Sequence, residues 1–159
     1  MIRRQFIAAL GGLFVAHRSA LAADAPGTGK VQKLQLPEAE WRKRLTPEQF
    51  AVLRQDATEA PGSSPLNQEK RRGTFACAAC ELPLFTSETK YESGTGWPSF
   101  YDCIHGNLET KSDFKLILPR TEYHCARCGG HQGHVFDDGP KPTGKRYCNN
   151  GVALKFIPA

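Results

Sequence analysis

Six cysteines are the residues of this 159-residue chain best suited to chemistry, and four of them form two C-x-x-C pairs. The pairs are Cys77 with Cys80 and Cys125 with Cys128, separated by 44 residues. Two such turns brought together supply four sulfurs at the distances of a tetrahedral zinc ion. We therefore predict a structural zinc site with these four ligands. Two redox-active pairs, or His124 as a competing ligand, remain as alternatives.

Cys103 and Cys148 are left for catalysis, because a closed tetrahedral site has no open position for a substrate. A reactive cysteine acts as the thiolate, so we expect the pKa of Cys148 to be lowered. Arg146, two residues earlier, offers positive charge. Taken alone, a cysteine before a strand is also compatible with a buried structural role.

Three short segments concentrate the other reactive side chains. They are residues 93–100 with Trp97, residues 131–136 with two histidines, and residues 146–151 around Cys148. His131 and His134 could equally be satisfied polar residues beside a zinc turn, and Trp97 could cap a core. No single segment decides between these interpretations.

The elements that must position these segments differ along the chain. Thr46, Pro47 and Gln49 form a helix start, with an N-cap, a proline at the first position and a capping box. This helix is predicted to end near Thr58, and a weaker pattern indicates a short helix over residues 38–44.

Beyond Arg72 the helical period disappears. Residues 114–118, 122–124 and 152–156 are predicted to be strands, separated by turns such as residues 137–140. The fold class expected is mainly β, with short N-terminal helices ahead of an antiparallel body.

The first 22 residues resemble a signal peptide, with Arg3 and Arg4 before an apolar stretch and a small-x-small end. The arginine pair is typical of twin-arginine export, although a Sec signal or an uncleaved anchor has similar features. Cleavage would lower the net charge from +5 to +2, with 18 basic and 16 acidic residues remaining. We predict export to the periplasm, a flexible start over residues 23–38, no nucleic-acid binding and no stable membrane association.

Three ordered strings resemble the methionine-R-sulfoxide reductase family, the B type. They are GWPSF (96–100), HQGHVFDDGP (131–140) and RYCNNGVALKF (146–156). The resemblance implies a reductase domain over residues 39–159, built from two antiparallel sheets. It also implies thiol-dependent reduction of the R epimer of oxidised methionine in proteins, as repair after oxidative stress.

The resemblance assigns roles to individual residues. It implies that Cys148 is the nucleophile, that the four paired cysteines hold zinc, and that the remaining site residues surround the substrate: His131, His134, Asn150, Trp97 and Phe136. Many family members carry a resolving cysteine where this chain has Thr95. The sulfenic acid on Cys148 would then be reduced by Cys103, by an external thioredoxin-like thiol, or by both.

Two other classes of function compete with this one. A zinc-ribbon binding module would keep every property after loss of the Cys148 thiol. A general disulfide oxidoreductase would use the C-x-x-C pairs and lose activity on binding zinc. The chain is expected to be a monomer.

Overall fold

The computed structural model describes residues 30–114 and 119–159. The predicted signal peptide lies outside these ranges, as do four of the five residues of the strand predicted over 114–118. No helix within the described ranges is long and apolar enough to cross a membrane. Residues 30–37 form neither helix nor strand but contact the body, where Leu34 packs against the core and its amide donates to the Arg127 carbonyl at 2.7 Å.

Two helices precede the β body, as predicted. Helix α1 spans Glu38–Arg44 and α2 spans Pro47–Gln55. The capping box is present, because Thr46 Oγ1 accepts from the Gln49 amide and Gln49 Oε1 accepts from the Thr46 amide. The predicted end near Thr58 is wrong. Asp56 takes a left-handed conformation with φ of 53°, which ends the helix three residues earlier.

Within the described residues, nine strands form two antiparallel sheets, which confirms the predicted fold class. The strands are β1 (Gly73–Cys77), β2 (Pro83–Thr86), β3 (Lys90–Tyr91), β4 (Ser99–Phe100), β5 (Leu108–Asp113), β6 (Arg120–Cys125), β7 (His131–Phe136), β8 (Arg146–Asn149) and β9 (Leu154–Pro158) among the described residues. One sheet has the order β2-β1-β9 and the other β3-β4-β8-β7-β6-β5. The strand predicted over 152–156 begins later, because Gly151–Ala153 forms a 3₁₀ turn.

Aromatic side chains pack between the sheets and fix the strands that carry the site. Phe85 stacks on Phe100 with ring centroids 4.1 Å apart, and Phe75 meets Phe100 edge-on at 5.0 Å. All three rings are fully buried. Since Phe100 belongs to β4 and β4 pairs with β8, this core holds the strand of Cys148 in place.

Candidate active site and metal centre

The two C-x-x-C turns begin at the ends of β1 and β6 and meet. The Sγ atoms of Cys77 and Cys128 are 3.7 Å apart and those of Cys80 and Cys125 are 3.5 Å apart. All four sulfurs lie within 4.8 Å of one another. Tetrahedral bonds of about 2.3 Å separate ligand sulfurs by about 3.8 Å, so this geometry fits one metal ion. His124 lies outside the cluster and pairs with a glutamate of β5.

The surroundings of these sulfurs suit thiolates. Gln132 Nε2 donates to Cys77 Sγ at 3.4 Å, and Arg54 Nη2 donates to Cys128 Sγ at 3.2 Å. Hydrogen bonds among the thiols, first of all with Cys125, raise the pKa of Cys77 and lower the pKa of Cys128. The four thiols therefore cannot all ionise at neutral pH without a cation between them.

A second group of possible ligands already contains its own cation. Asp56, Glu122 and His131 converge below α2. Lys111 Nζ lies 3.1 Å from Glu122 Oε1 and 3.8 Å from Asp56 Oδ2. Because the Lys111 charge already faces both carboxylates, we interpret this group as an ion-pair network.

Cys148 lies on β8, between β4 and β7. Its partner in the β4 register is Ser99 and its partner in the β7 register is His134. Burial raises the pKa of the Cys148 thiol above its ordinary value, although the Arg146 charge and hydrogen bonds from Thr95 and Arg146 lower it. The expected lowered pKa is thus wrong for the free protein, because burial outweighs the favourable contacts.

A β-bulge brings both histidines to the face of Cys148. In a regular strand, residues three apart point to opposite faces. The register with β6 shifts by one residue at Gln132, and the rings of His131 and His134 lie 5.6 Å apart. Between them, a Cβ on Gly133 would lie 1.9 Å from the Cys148 carbonyl oxygen, so this position requires glycine.

His131 is held by a buried ion-pair network. Its Nδ1 lies 2.9 Å from Glu122 Oε1, and both residues are 2% exposed. The ring and the carboxylate are not aligned as a hydrogen bond, so the contact is electrostatic. Lys111 Nζ contacts the same carboxylate oxygen at 3.1 Å.

His134 has a parallel arrangement. Its Nε2 lies 2.8 Å from Asp113 Oδ2, and Arg120 Nη2 lies 2.7 Å from the same oxygen. Burial lowers the pKa of His134, while the Asp113 hydrogen bond raises it. At neutral pH the ring is therefore neutral and donates from Nε2 to the carboxylate.

Arg146 supplies positive charge beside Cys148. Its guanidinium makes two 2.8 Å bonds to the carboxylate of Asp138 and lies over the Phe136 ring at 4.3 Å. This pairing holds the planar guanidinium group in one orientation. Phe136, predicted to contact the substrate, therefore also orients the arginine.

Trp97 is anchored through its indole. The Nε1 group donates to the Glu59 carbonyl at 3.1 Å. The turn before it needs glycine at Gly96, where φ is 88° and a Cβ would lie 2.9 Å from Pro61 Cβ. The chain then enters β4, where Ser99 faces Cys148.

Asn150 is buried and acts as a connector. Its Nδ2 donates to the Gln132 carbonyl at 3.0 Å and its Oδ1 accepts from the Glu59 amide at 3.1 Å. It therefore joins the β7 bulge to the segment that anchors Trp97. These contacts fix the position of the Trp97 side of the site relative to the histidine side.

Cys103 lies on the other side of β8. It packs with Tyr147 against the buried core, and burial raises the pKa of its thiol although the nearby Tyr147 hydroxyl lowers it. Tyr147 and Cys148 are consecutive residues of one strand, so their side chains point to opposite faces. The structure therefore does not bring Cys103 and Cys148 to the same face.

Sequence analysis missed three carboxylates of the site. Asp113, Glu122 and Asp138 hold His134, His131 and Arg146 respectively. For Asp113 and Glu122 the only signal was an acidic residue within a strand of mixed polarity, which is also common on solvent-facing strands. Asp138 lies in the turn after β7, where acidic residues are common.

Comparisons with known proteins match most of the chain. The SelR domain model matches residues 45–158. "Peptide methionine sulfoxide reductase MsrB" of Methanosarcina barkeri is 57% identical over 120 residues, covering 75% of this chain and 84% of that protein. "Peptide methionine sulfoxide reductase B1, chloroplastic" of Arabidopsis thaliana is 54% identical over 122 residues, covering 76% and 60%. "Methionine-R-sulfoxide reductase B2, mitochondrial" of Rattus norvegicus is 49% identical over 135 residues, covering 80% and 78%.

Proposed function

The chain belongs to the SelR family of peptide methionine sulfoxide reductases, and on that basis we propose how its residues reduce the R epimer of methionine sulfoxide. It is an oxidoreductase of this class. The observation that carries the proposed mechanism is the register of β7 and β8, which sets Cys148 opposite His134.

In the first step, Cys148 sulfur attacks the sulfoxide sulfur. The thiol and the sulfoxide become a sulfenic acid on Cys148 and methionine, so one oxygen atom moves and no proton is gained or lost overall. Because burial raises the pKa of Cys148, the thiol still carries its proton at neutral pH. That proton is available to the sulfoxide oxygen, which must be protonated or hydrogen-bonded before its sulfur becomes electrophilic.

His134 is neutral and donates from Nε2 to Asp113, so the lone pair of its Nδ1 can take the Cys148 proton and pass it to the sulfoxide oxygen. The His131 ring lies 5.6 Å from the His134 ring on the same side of the site. Each ring is fixed by a buried carboxylate, Glu122 for His131 and Asp113 for His134. Rings that are already oriented stabilise developing charge without reorganising during the reaction. Arg146 adds positive charge beside Cys148, which stabilises the sulfur as the thiol loses its proton.

Epimer selection follows from the two sides of the site. Trp97, fixed through Glu59, and Phe136 receive the methyl group, and the histidines receive the oxygen. Burying a methyl group contributes about 1 kcal/mol, whereas an unpaired donor costs about 1–3 kcal/mol. The polar side therefore contributes most to selection of the R epimer.

An external thiol, of the thioredoxin kind, reduces the sulfenic acid. Two external thiols form one disulfide, release water and regenerate the Cys148 thiol. This route is favoured over the predicted attack by Cys103, because Cys103 faces Tyr147 on the other side of β8. Peptide mapping after a single turnover without reductant tests it. Absence of a Cys103–Cys148 disulfide, with full activity in Cys103→Ser, is expected, and a quantitative disulfide would contradict it.

The four-cysteine cluster holds one structural zinc ion. The sulfur separations fit four zinc–sulfur bonds, and four protein ligands leave no open position for a substrate. The metal would clip β1 to the end of β6 and so close a long loop, which stabilises the fold.

Export also belongs to this proposal. Its support is the basic, apolar and small-x-small pattern of residues 1–22. N-terminal sequencing of the protein recovered from periplasm tests it. A mature start near residue 23 is expected, and an intact start in a cytoplasmic fraction would contradict export.

Assay of both epimers of a methionine-sulfoxide peptide tests the proposed chemistry. The wild-type protein should reduce the R epimer, and Cys148→Ser should fold, bind zinc and lose at least about a thousandfold in turnover. Unchanged turnover in this variant would refute the assignment of Cys148 as the nucleophile and would favour the C-x-x-C pairs as the reactive thiols.

A further inference from the structure

A continuous chain of hydroxyl groups runs beside Cys148. Thr95 Oγ1 lies 2.8 Å from Ser93 Oγ, and Ser93 Oγ lies 2.7 Å from Ser99 Oγ. Ser99 Oγ donates to the Trp97 carbonyl at 3.1 Å. Ser99 is also the register partner of Cys148 on the neighbouring strand, and the Thr95 side chain is close enough to Cys148 to lower the pKa of its thiol. The chain therefore connects the nucleophile to the main chain of the residue assigned to the substrate's methyl group.

Counting protons fixes the direction of this chain. Each hydroxyl has one proton to donate. Ser99 gives its proton to the Trp97 carbonyl, so Ser93 must donate to Ser99 and Thr95 must donate to Ser93. Thr95 then has only lone pairs left for Cys148. In this direction the chain accepts a hydrogen bond from the thiol.

Ionisation of Cys148 requires the opposite direction. A thiolate has no proton and can only accept. Thr95 must then turn its hydroxyl to the sulfur, and Ser93 must donate to Thr95. To keep its bond with Ser93, Ser99 must donate to Ser93 and so give up its bond to the Trp97 carbonyl. The chain cannot carry the thiol proton away, because it ends on a carbonyl group. It can only reorient.

We propose that Ser93, Thr95 and Ser99 are positioning residues that reverse the direction of their hydrogen bonds when the Cys148 sulfur loses its proton. The protonation state of the sulfur is thereby coupled to the hydrogen bond on the Trp97 carbonyl. This proposal rests on the proposed role of Cys148. It gives Thr95, which stands where many relatives have a resolving cysteine, a role of its own.

The two directions predict opposite effects for two substitutions. Thr95→Val removes the hydroxyl that donates to the thiolate, so ionisation becomes harder. Ser93→Ala leaves Thr95 beside Cys148 but breaks the chain. Thr95 can then turn to the sulfur while Ser99 keeps its bond to the Trp97 carbonyl. Ionisation no longer costs that bond and becomes easier.

Alkylation of Cys148 by iodoacetamide between pH 6 and 10, quantified by peptide mapping, measures this difference. At pH 8, Thr95→Val should react about three- to tenfold more slowly than wild type, and Thr95→Ser should recover to within about twofold. Ser93→Ala should react roughly two- to tenfold faster, the equivalent of one neutral hydrogen bond. The other titratable groups around Cys148 are Arg146, Asp138, His134, Tyr91 and Tyr123, and all stay unchanged in these variants.

Slower or unchanged alkylation in Ser93→Ala would overturn the proposal, since a lone Thr95 contact predicts no change and a merely structural role predicts a loss. Zinc content and the urea midpoint of each variant show that it is folded. Alkylation does not require turnover, so failure of this proposal is separable from failure of the proposed reductase chemistry.

Discussion

Asp113→Asn replaces the carboxylate behind His134 by an amide of nearly the same size. The Oδ2 atom lies 2.8 Å from His134 Nε2 and 2.7 Å from Arg120 Nη2, in a side chain that is 4% exposed. Hydrogen bonds to charged groups contribute about 1.5–3 kcal/mol, against about 0.5–1.5 kcal/mol between neutral groups. Because Arg120 is 30% exposed and keeps part of its hydration, we expect a loss of about 2 kcal/mol in the free energy of unfolding.

The larger effect should be catalytic. An asparagine amide can donate to His134 Nε2, which moves the ring proton to Nδ1 and reverses the direction in which the ring offers hydrogen bonds. The ring then has no Nδ1 lone pair to take the Cys148 proton and no carboxylate to stabilise the protonated ring, so kcat should fall by about 10- to 100-fold. Asp113 raises the pKa of His134, so its loss should lower that pKa and move any acidic limb due to His134 to lower pH.

Steady-state kinetics on the R epimer from pH 5 to 9, with urea unfolding alongside, separates these effects. Asp137→Asn is the matched control, because Asp137 is exposed and pairs only at the surface with Lys145. The control should keep wild-type kinetics and stability. Wild-type kcat and pH dependence in Asp113→Asn would refute the assigned role of the carboxylate.

Three further outcomes follow from the geometry. Cys128→Ser should lose bound zinc and several kcal/mol of stability, measured by metal analysis and thermal unfolding, while Cys103→Ser should keep both; equal zinc content in the two would contradict the site. Alkylation of wild-type Cys148 should rise about tenfold per pH unit from 7 to 8.5, because burial raises its pKa and less than about 3% is thiolate at pH 7; a plateau below pH 8 would show the reverse. Gly133→Ala should lose about 2–3 kcal/mol in urea unfolding and most of its turnover, because its Cβ would meet the Cys148 carbonyl at 1.9 Å; a stable, active variant would contradict the tight packing of β7 on β8.

The parts of the fold that sequence predicted correctly depend on local chemistry. The start of α2 follows from Thr46 and Gln49, which satisfy each other's amides within one turn. The cysteine cluster follows from spacing, because a C-x-x-C turn converges its two sulfurs wherever the chain places it. Both predictions needed no knowledge of which strands pair.

What sequence could not give depends on long-range pairing. The bulge at Gln132 exists only against β6, and without it His131 and His134 would be assigned to opposite faces. Likewise the carboxylate of Asp113 reaches His134 across two strand pairings. The end of α2 failed for a different reason, since Asp56 tolerates a left-handed conformation that its residue type merely permits.

The raised pKa of Cys148 is consistent with the reaction once protons are counted. A permanent thiolate would attack a sulfoxide only if another group protonated the oxygen, and burial makes His134 a neutral ring rather than a strong acid. A thiol brings the required proton to the site together with the sulfur. The hydroxyl chain from Thr95 fits the same state, because its resting direction accepts a hydrogen bond from that thiol. The site therefore keeps Cys148 unreactive towards other electrophiles until a sulfoxide oxygen is placed to take the proton, and the histidines, held by their carboxylates, are arranged to receive that oxygen.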